Sequence, residues 1–468
     1  MSKNSKKSLT RRSFIGHASC AALGTAGMIS SLSQLKAIGA MASDNINSTQ
    51  PFAATDYKAL VCVFLSGGND GGNTLIPYDS QSYSSYNKAR AELALDQKTL
   101  LPITPKTYKD GRNYALHPQI PEIQSLFSNG KLSFLANVGT LVTPTDLNSY
   151  QKGSSLPLQL YSHLDQSNQW QCSISDQPIL QTGWGGRLGD LMNSSNTNPG
   201  ISMNLSLTGT NIFQVGQSVS PYVLNGGGAT PLDGYFGYPQ LHNQAYLGLK
   251  QILGNSYTNI LGSAFSNTTS AAANSAEYMN TVLKGAPTLK TAFPSTYTGN
   301  NLKMISNLIA LAPTLGLKRQ IFYLNVGGYD SHASQLASHG GLLADLSSCL
   351  NAFYNATVEL GVDKQVTTFT ASDFGRTYAP NSGGTDHAWG NIQMIMGGAI
   401  KGGDIFGTMP SLTLGGIDDV GRGRWIPSTA VDQYSSTLAK WFGVSATNMS
   451  TVIPNIGRFS NADLGFMA

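Results

Sequence analysis

The first unbroken apolar run is Ala59-Leu60-Val61-Cys62-Val63-Phe64-Leu65, closed by Ser66-Gly67-Gly68. Seven apolar side chains in a row leave neither face polar, the pattern of a strand buried on both sides. Helical spacing follows over about 84–95 and again over 118–129, and 132–138 reads as the next strand. Strand, helix, strand in that order predicts a parallel sheet wrapped by helices. The same rhythm returns late in the chain: a helix over 302–315, a strand over 320–326, a helix over 341–360, then strands over 366–370 and 392–396. Between the two blocks, about 195–300 is rich in Asn, Ser, Thr, Gly and Ala. It shows only a weak strand signal at 201–207 and a helical one at 240–253. The expected fold class is therefore α/β, a mostly parallel central sheet flanked by helices. One domain spans 58–468, with an inserted cap over about 195–300.

The N-terminus follows a different rule. Lys3, Lys6 and Lys7 lead into Thr10-Arg11-Arg12-Ser13-Phe14-Ile15, a pattern resembling a twin-arginine export signal. A mildly apolar stretch comes next, ending at the small-x-small site Ala40-Met41-Ala42. A membrane anchor needs about 20 strongly apolar residues, and Gly16, His17, Gly24 and Gly27 interrupt this segment. Cys20 lacks the aliphatic residue that a lipoprotein signal places where His17 stands. The expectation is a signal peptide over 1–42 and a linker over 43–57. The twin-arginine translocase would be a partner during export, and the mature chain would be periplasmic or secreted with no stable membrane anchor.

Removing that signal changes the charge. The full chain carries 29 Lys+Arg and 25 Asp+Glu. Six of the basic residues and none of the acidic ones fall in 1–42, leaving 23 against 25, a net of −2. No basic tract remains to follow a phosphate backbone, which argues against nucleic acid as a partner. Cys62, Cys172 and Cys349 are too few and too scattered for a disulfide framework. Buried thiols are the expectation, with one bridge as the alternative in an oxidising compartment.

Candidate chemistry gathers where apolar runs end. Ser66-Gly67-Gly68-Asn69-Asp70-Gly71-Gly72-Asn73, Gly327-Gly328-Tyr329-Asp330-Ser331-His332 and Ala371-Ser372-Asp373-Phe374-Gly375-Arg376 each follow an expected strand. Ligands of open α/β sheets collect at such carboxyl ends. Thr385-Asp386-His387-Ala388-Trp389-Gly390 precedes a strand, and Tyr161-Ser162-His163-Leu164-Asp165-Gln166 opens a helix whose first N–H groups favour an anion. Of the six histidines after residue 42, His163, His332, His339 and His387 lie in or beside these segments. Imidazoles and carboxylates together make an oxygen and nitrogen cage suited to a divalent metal.

Read in order, Phe64-Leu65-Ser66-Gly67-Gly68-Asn69-Asp70-Gly71, Ser162-His163-Leu164-Asp165, Gly328-Tyr329-Asp330-Ser331-His332, Ser372-Asp373-Phe374-Gly375-Arg376-Thr377 and Gly384-Thr385-Asp386-His387 resemble an exported bacterial family, domain of unknown function 1501. The likeness covers about 58–460, and the family is similar to the alkaline phosphatase and sulfatase superfamily. That resemblance implies a two-metal site at the strand ends. Asp70 and Asp373 would hold one metal; Asp330, His332 and His387 would hold the other. Ser162 would be the nucleophile, and Arg376 or His163 a clamp on the transferring group. Zinc is the first choice of ion, with calcium, magnesium or manganese as alternatives.

Three departures bear on this. Asp330 and His332 are two residues apart where the superfamily often spaces them by four, so His339 is an alternative ligand. Phe374 stands where alkaline phosphatases carry a second His. No sulfatase Cys-x-Pro-x-Arg pattern is present at the nucleophile. Two functions follow: a metal-dependent hydrolase of phosphate or sulfate esters, or a non-catalytic extracytoplasmic binding protein for a glycan or surface ligand.

Overall fold

The computed structural model describes residues 56–198, 201–230 and 239–468. The expected signal peptide over 1–42 and the expected linker up to residue 55 lie outside the described residues. The described chain forms two compact units.

The larger unit is built on a nine-stranded sheet. From one edge it runs β11 (Ile405–Gly407), β5 (Leu132–Gly139), β10 (Asn391–Gly397), β9 (Val366–Ser372), β1 (Lys58–Leu65), β8 (Arg319–Val326), β6 (Asn204–Ser206) and β7 (Tyr222–Val223), with β12 (Thr429–Ala430) also paired to β5. The fold class is as expected: mixed α/β, with a mostly parallel sheet between helices. Among the described strands of this sheet, only β10 runs against its neighbours. A second small antiparallel sheet, β2 (Leu75–Pro77), β4 (Tyr114–Leu116) and β3 (Leu101–Ile103), gave no clear sequence signal because its strands are three residues long.

β1 is central, hydrogen-bonded in parallel to β8 on one side and β9 on the other. All of its residues after Lys58 are buried, as its unbroken apolar run requires. Helices follow the expected positions with shifted ends. Ser80–Arg90 starts four residues early because Asp79 accepts a hydrogen bond from the Ser82 N–H and caps it there. Pro121–Ser128 starts late, at the proline whose missing N–H suits a first turn. The helix Gln335–Glu359 is longer than expected at its start. Cys62, Cys172 and Cys349 are buried free thiols.

The smaller unit, described over residue 201 and 239–278, holds the helix Pro239–Leu253 and most of Ile260–Leu283. Its Lys250 pairs with Glu277 at 3.1 Å. Among the described residues, no helix is long and apolar enough to cross a membrane.

Candidate metal centre

β9, β1 and β8 are adjacent and parallel, so the three Gly-rich loops that follow them emerge at one edge of the sheet. Because β10 is antiparallel, the segment entering it, Thr385–Gly390, arrives at that same edge. One reversed strand thus brings His387 to the loops of Asp330 and Asp373. A bridge between Arg376 and His387 fixes the juxtaposition. Two glycines permit the approach. Gly67 has φ +115°, and a Cβ there would lie 2.3 Å from the Asp330 backbone nitrogen. A Cβ on Gly384 would lie 2.1 Å from the His332 carbonyl carbon. Neither distance is tolerable for another residue.

The centre forms around Asp330. Its Oδ1 lies 3.0 Å from His332 Nε2 and 3.4 Å from His387 Nε2; its Oδ2 lies 3.4 Å from His163 Nε2. The Nε2 atoms of His332 and His387 are 3.1 Å apart. Ligands on a tetrahedral zinc, each bonded at about 2.0–2.1 Å, sit about 3.3–3.4 Å from one another, so these spacings match a ligand shell. His163, Asp330 and His387 each offer a ligand atom within 4.8 Å of the others, as do His332, Asp386 and His387.

Two imidazoles are turned toward this point by outer hydrogen bonds. His163 Nδ1 pairs with Asp373 Oδ2 at 2.6 Å, and His387 Nδ1 with the Tyr161 carbonyl at 2.9 Å. A carbonyl can only accept, so Nδ1 of His387 carries the proton and, in the neutral ring, Nε2 is left with its lone pair. His163 Nε2 is buried without a hydrogen-bond partner among the described residues, an atom that a cation would satisfy. The Phe374 ring lies 4.8 Å from the His163 ring and 4.6 Å from that of His387, packing both in place. The donor set therefore fits a divalent metal.

Electrostatics distinguishes the members. The hydrogen bond that His163 donates to Asp373 raises the His163 pKa, whereas burial lowers that of His387. Burial opposes ionisation of Asp330, but the hydrogen bond and charge of Arg376 outweigh it and hold the carboxyl below its ordinary value. Arg376 Nη1 donates to Asp330 Oδ1 at 2.7 Å and to the Gly67 carbonyl at 3.1 Å, and its Nε donates to Thr385 Oγ1 at 3.1 Å. With its side chain fully buried, Arg376 holds Asp330 and does not face an incoming group, unlike the clamp expected of it.

The other expected residues divide. Asp330, His332 and His387 converge. Asp373 reaches the centre through His163, and its Oδ1 accepts from the Gly67 N–H at 3.2 Å. Asp70 does not join them: it is 1% exposed and is engaged by Arg90 and Gln335. His339 is buried, its Nε2 3.0 Å from Asn69 Oδ1, and burial pulls its pKa down to about 4. Ser162 caps the helix His163–Cys172, as its place before that helix predicted, and its Oγ donates to Asp165 Oδ2 at 2.6 Å. The preceding residue, Tyr161, has φ +74°, an unfavourable backbone for a bulky side chain.

Sequence reasoning gave His163 a different role and passed over Asp386 and Arg90. Asp386 stood in a quoted motif; nothing marked Arg90. Beside the centre lies a cleft of about 730 Å³, lined by His163, Asp330 and Asp373 among others. The uncharged polar side chains of Asn168, Gln171, Thr208, Thr210 and Asn211 also line it, and among the described residues no Lys or Arg does.

Comparison with curated protein sequences gives no match. Several solved structures are similar at low identity. Ps i-CgsB in complex with k-i-k-neocarrahexaose is 11% identical, with 87% of this chain and 78% of that chain covered and a TM-score of 0.35. The C-terminal periplasmic domain of EcEptC from Escherichia coli, in complex with Zn, is 10% identical over 88% and 89%, with a TM-score of 0.35. The PsFucS1 sulfatase from Pseudoalteromonas sp. is 12% identical over 86% and 74%, with a TM-score of 0.31. The family resemblance read from the motifs is borne out in the later part of the chain: residues 267–424 match the family described as "Protein of unknown function (DUF1501)", and they carry Asp330, His332, Asp373, Arg376 and His387.

Proposed function

We propose that the mature chain is an extracytoplasmic, metal-dependent hydrolase of phosphate or sulfate esters. The observation that carries this reading is the convergence of three imidazole nitrogens on the Asp330 carboxylate at 3.0–3.4 Å. His163, His332, His387 and Asp330 would hold the ion, zinc by the nitrogen-rich character of the set. A divalent ion there supplies positive charge to an ester oxygen and lowers the pKa of a nearby hydroxyl.

The chain's own groups do the rest. Asp330 and His332 are both 44% exposed, so the centre is open to an incoming ester. Ser162 sits between Tyr161, whose carbonyl orients His387, and His163 itself. Its hydroxyl proton already points at Asp165 Oδ2, the group placed to accept it as Oγ bonds to phosphorus or sulfur. The strained Tyr161 backbone holds the serine at this turn. The esterified oxygen leaves with a proton from solvent, and water then frees the serine.

A second reading, a glycan-binding protein without turnover, is favoured by the uncharged hydrogen-bonding side chains that line the cleft beside Asp330 and Asp373. Both are tested together. Zinc-loaded protein is offered a panel of phosphate and sulfate monoesters, and Ser162→Ala is compared for metal content and turnover. Full metal content with turnover lost at least 10³-fold supports the hydrolase. A wild-type protein that is zinc-loaded, inert to the whole panel and able to bind neutral oligosaccharides supports the second reading.

A further inference from the structure

The family resemblance implies two metals, yet Asp70 and Asp330 are in different company. We infer that the centre is mononuclear, because the Arg90 guanidinium occupies the charge-balancing place beside Asp70 that a second cation would need. This rests on the metal-centre reading above and limits it.

Asp70 Oδ1 accepts the Gly72 N–H at 3.1 Å. Its Oδ2 accepts from both Arg90 and the Gln335 side-chain amide. Arg90 is the last residue of the helix Ser80–Arg90, and its side chain is fully buried. Its Nη1 also donates to the carbonyls of Thr377 and Tyr378, each at 3.2 Å, and its guanidinium lies 5.6 Å from the centre of the Tyr378 ring. A cation at Asp70 would therefore meet a fixed positive charge and N–H donors where it needs lone pairs.

The remaining donors a second ion would require are committed elsewhere. Asp373 is paired with His163 and the Gly67 N–H. The next residue is Phe374, which offers no lone pair. His339 Nε2 is occupied by Asn69.

The Asp70 cluster has a different use. Gln335 donates to Asp70 and accepts from Thr385 Oγ1 at 2.6 Å. Thr385 Oγ1 accepts in turn from Arg376 Nε at 3.1 Å, and Arg376 Nη1 donates to Asp330 at 2.7 Å. An unbroken hydrogen-bond chain thus runs from Asp70 to Asp330. Asp70 is a positioning residue for a single metal, acting through Gln335, Thr385 and Arg376.

The experiment is a zinc titration of the metal-free mature protein by calorimetry, with elemental analysis of the loaded form. One equivalent per chain is expected. Two equivalents overturn the inference and leave the metal-dependent reading standing. None removes that reading, and this inference falls with it. Asp70→Asn provides a second arm: it should retain one equivalent with affinity weakened less than about 10-fold, whereas Asp330→Asn should weaken it far more. If Asp70→Asn loses zinc as completely as Asp330→Asn, Asp70 is a ligand and the inference fails. Should Asp70→Asn fail to fold, the wild-type stoichiometry decides alone.

Discussion

Asp70 and Asp330 follow neighbouring parallel strands in similar glycine-rich loops, yet their surroundings make them different chemical objects. Asp330 is 44% exposed and meets, besides Arg376, three imidazoles, which can give up protons and offer lone pairs. Asp70 is 1% exposed and meets a guanidinium, which cannot. A carboxylate among imidazoles is prepared for an exchangeable cation. A buried carboxylate whose hydrogen-bond partners are all N–H donors, as at Asp70, has no lone pairs beside it and takes its cation from the chain itself. The lesson is that a strand-end aspartate shows where charge is needed at a site, while its partners decide whether a metal or the protein supplies the balance.

The largest expected effect breaks the comparison at its buried end. In the metal-free protein, Arg90→Leu leaves the Asp70 carboxylate buried with no counter-charge and should cost about 3–5 kcal/mol in urea unfolding. Asp330→Asn removes a half-exposed partner from Arg376, which keeps its bonds to the Gly67 and Thr385 carbonyls. About 1–2 kcal/mol is expected there. Equal losses in the two variants would show that Asp70 and Asp330 do not differ in the way described.

Legibility in the sequence follows the same division. β1 was readable because both of its faces are buried, so its pattern is a plain apolar run. Asp330 and His332 were readable as strand-end candidates because loops after parallel strands share one edge, whereas His387 was grouped with them only through the family resemblance. The antiparallel direction of β10 was not readable, since a buried strand looks alike from either end. That Asp373 reaches the centre through His163 was hidden as well, because a carboxylate looks the same whether it binds a metal or the ring of a ligand. Arg90 lay beyond sequence reasoning for a simpler reason: on a polar helix, a basic residue in the last turn is ordinarily read as solvent-exposed. The three-stranded sheet of β2, β3 and β4 was too short for alternation to show.

A smaller effect tests the outer partner at the exposed end. Asp373→Asn replaces the carboxylate that accepts the His163 Nδ1–H with an amide that can present either an oxygen or an NH2 group. The imidazole then loses its fixed tautomer and some of its basicity. Zinc affinity should fall about 10–100-fold, with stoichiometry unchanged, as read by competition with a chromogenic chelator. An affinity unchanged within threefold would mean that His163 is not a ligand, and the donor set would shrink to His332, His387 and Asp330.

The smallest effect concerns a third carboxylate, one that has neither an imidazole nor a hydrogen-bonded guanidinium. Asp432 lies in the first turn of the helix Val431–Phe442, is 1% exposed, and neither oxygen has a hydrogen-bond partner on another described residue. Burial raises its pKa to about 7, and the charge of Asp176 adds to the rise while Arg458 and Arg187 oppose it. In the unfolded chain the same group titrates near 3.9. The folded state therefore holds an extra proton between about pH 4 and 7. Its stability is favoured at the acid end of that window and declines as pH rises through 7. A three-unit displacement corresponds to about 4 kcal/mol. Relaxation around the ionised group and the unmet hydrogen bonds of a replacement amide take back part of that, so Asp432→Asn should gain about 2 kcal/mol at pH 8 and almost nothing at pH 4. Urea unfolding of both proteins from pH 4 to 8 measures the difference, with metal withheld so that the centre does not contribute. Stability curves that stay parallel across this range would show that Asp432 is balanced by its arginine neighbours after all, as Asp70 is by Arg90.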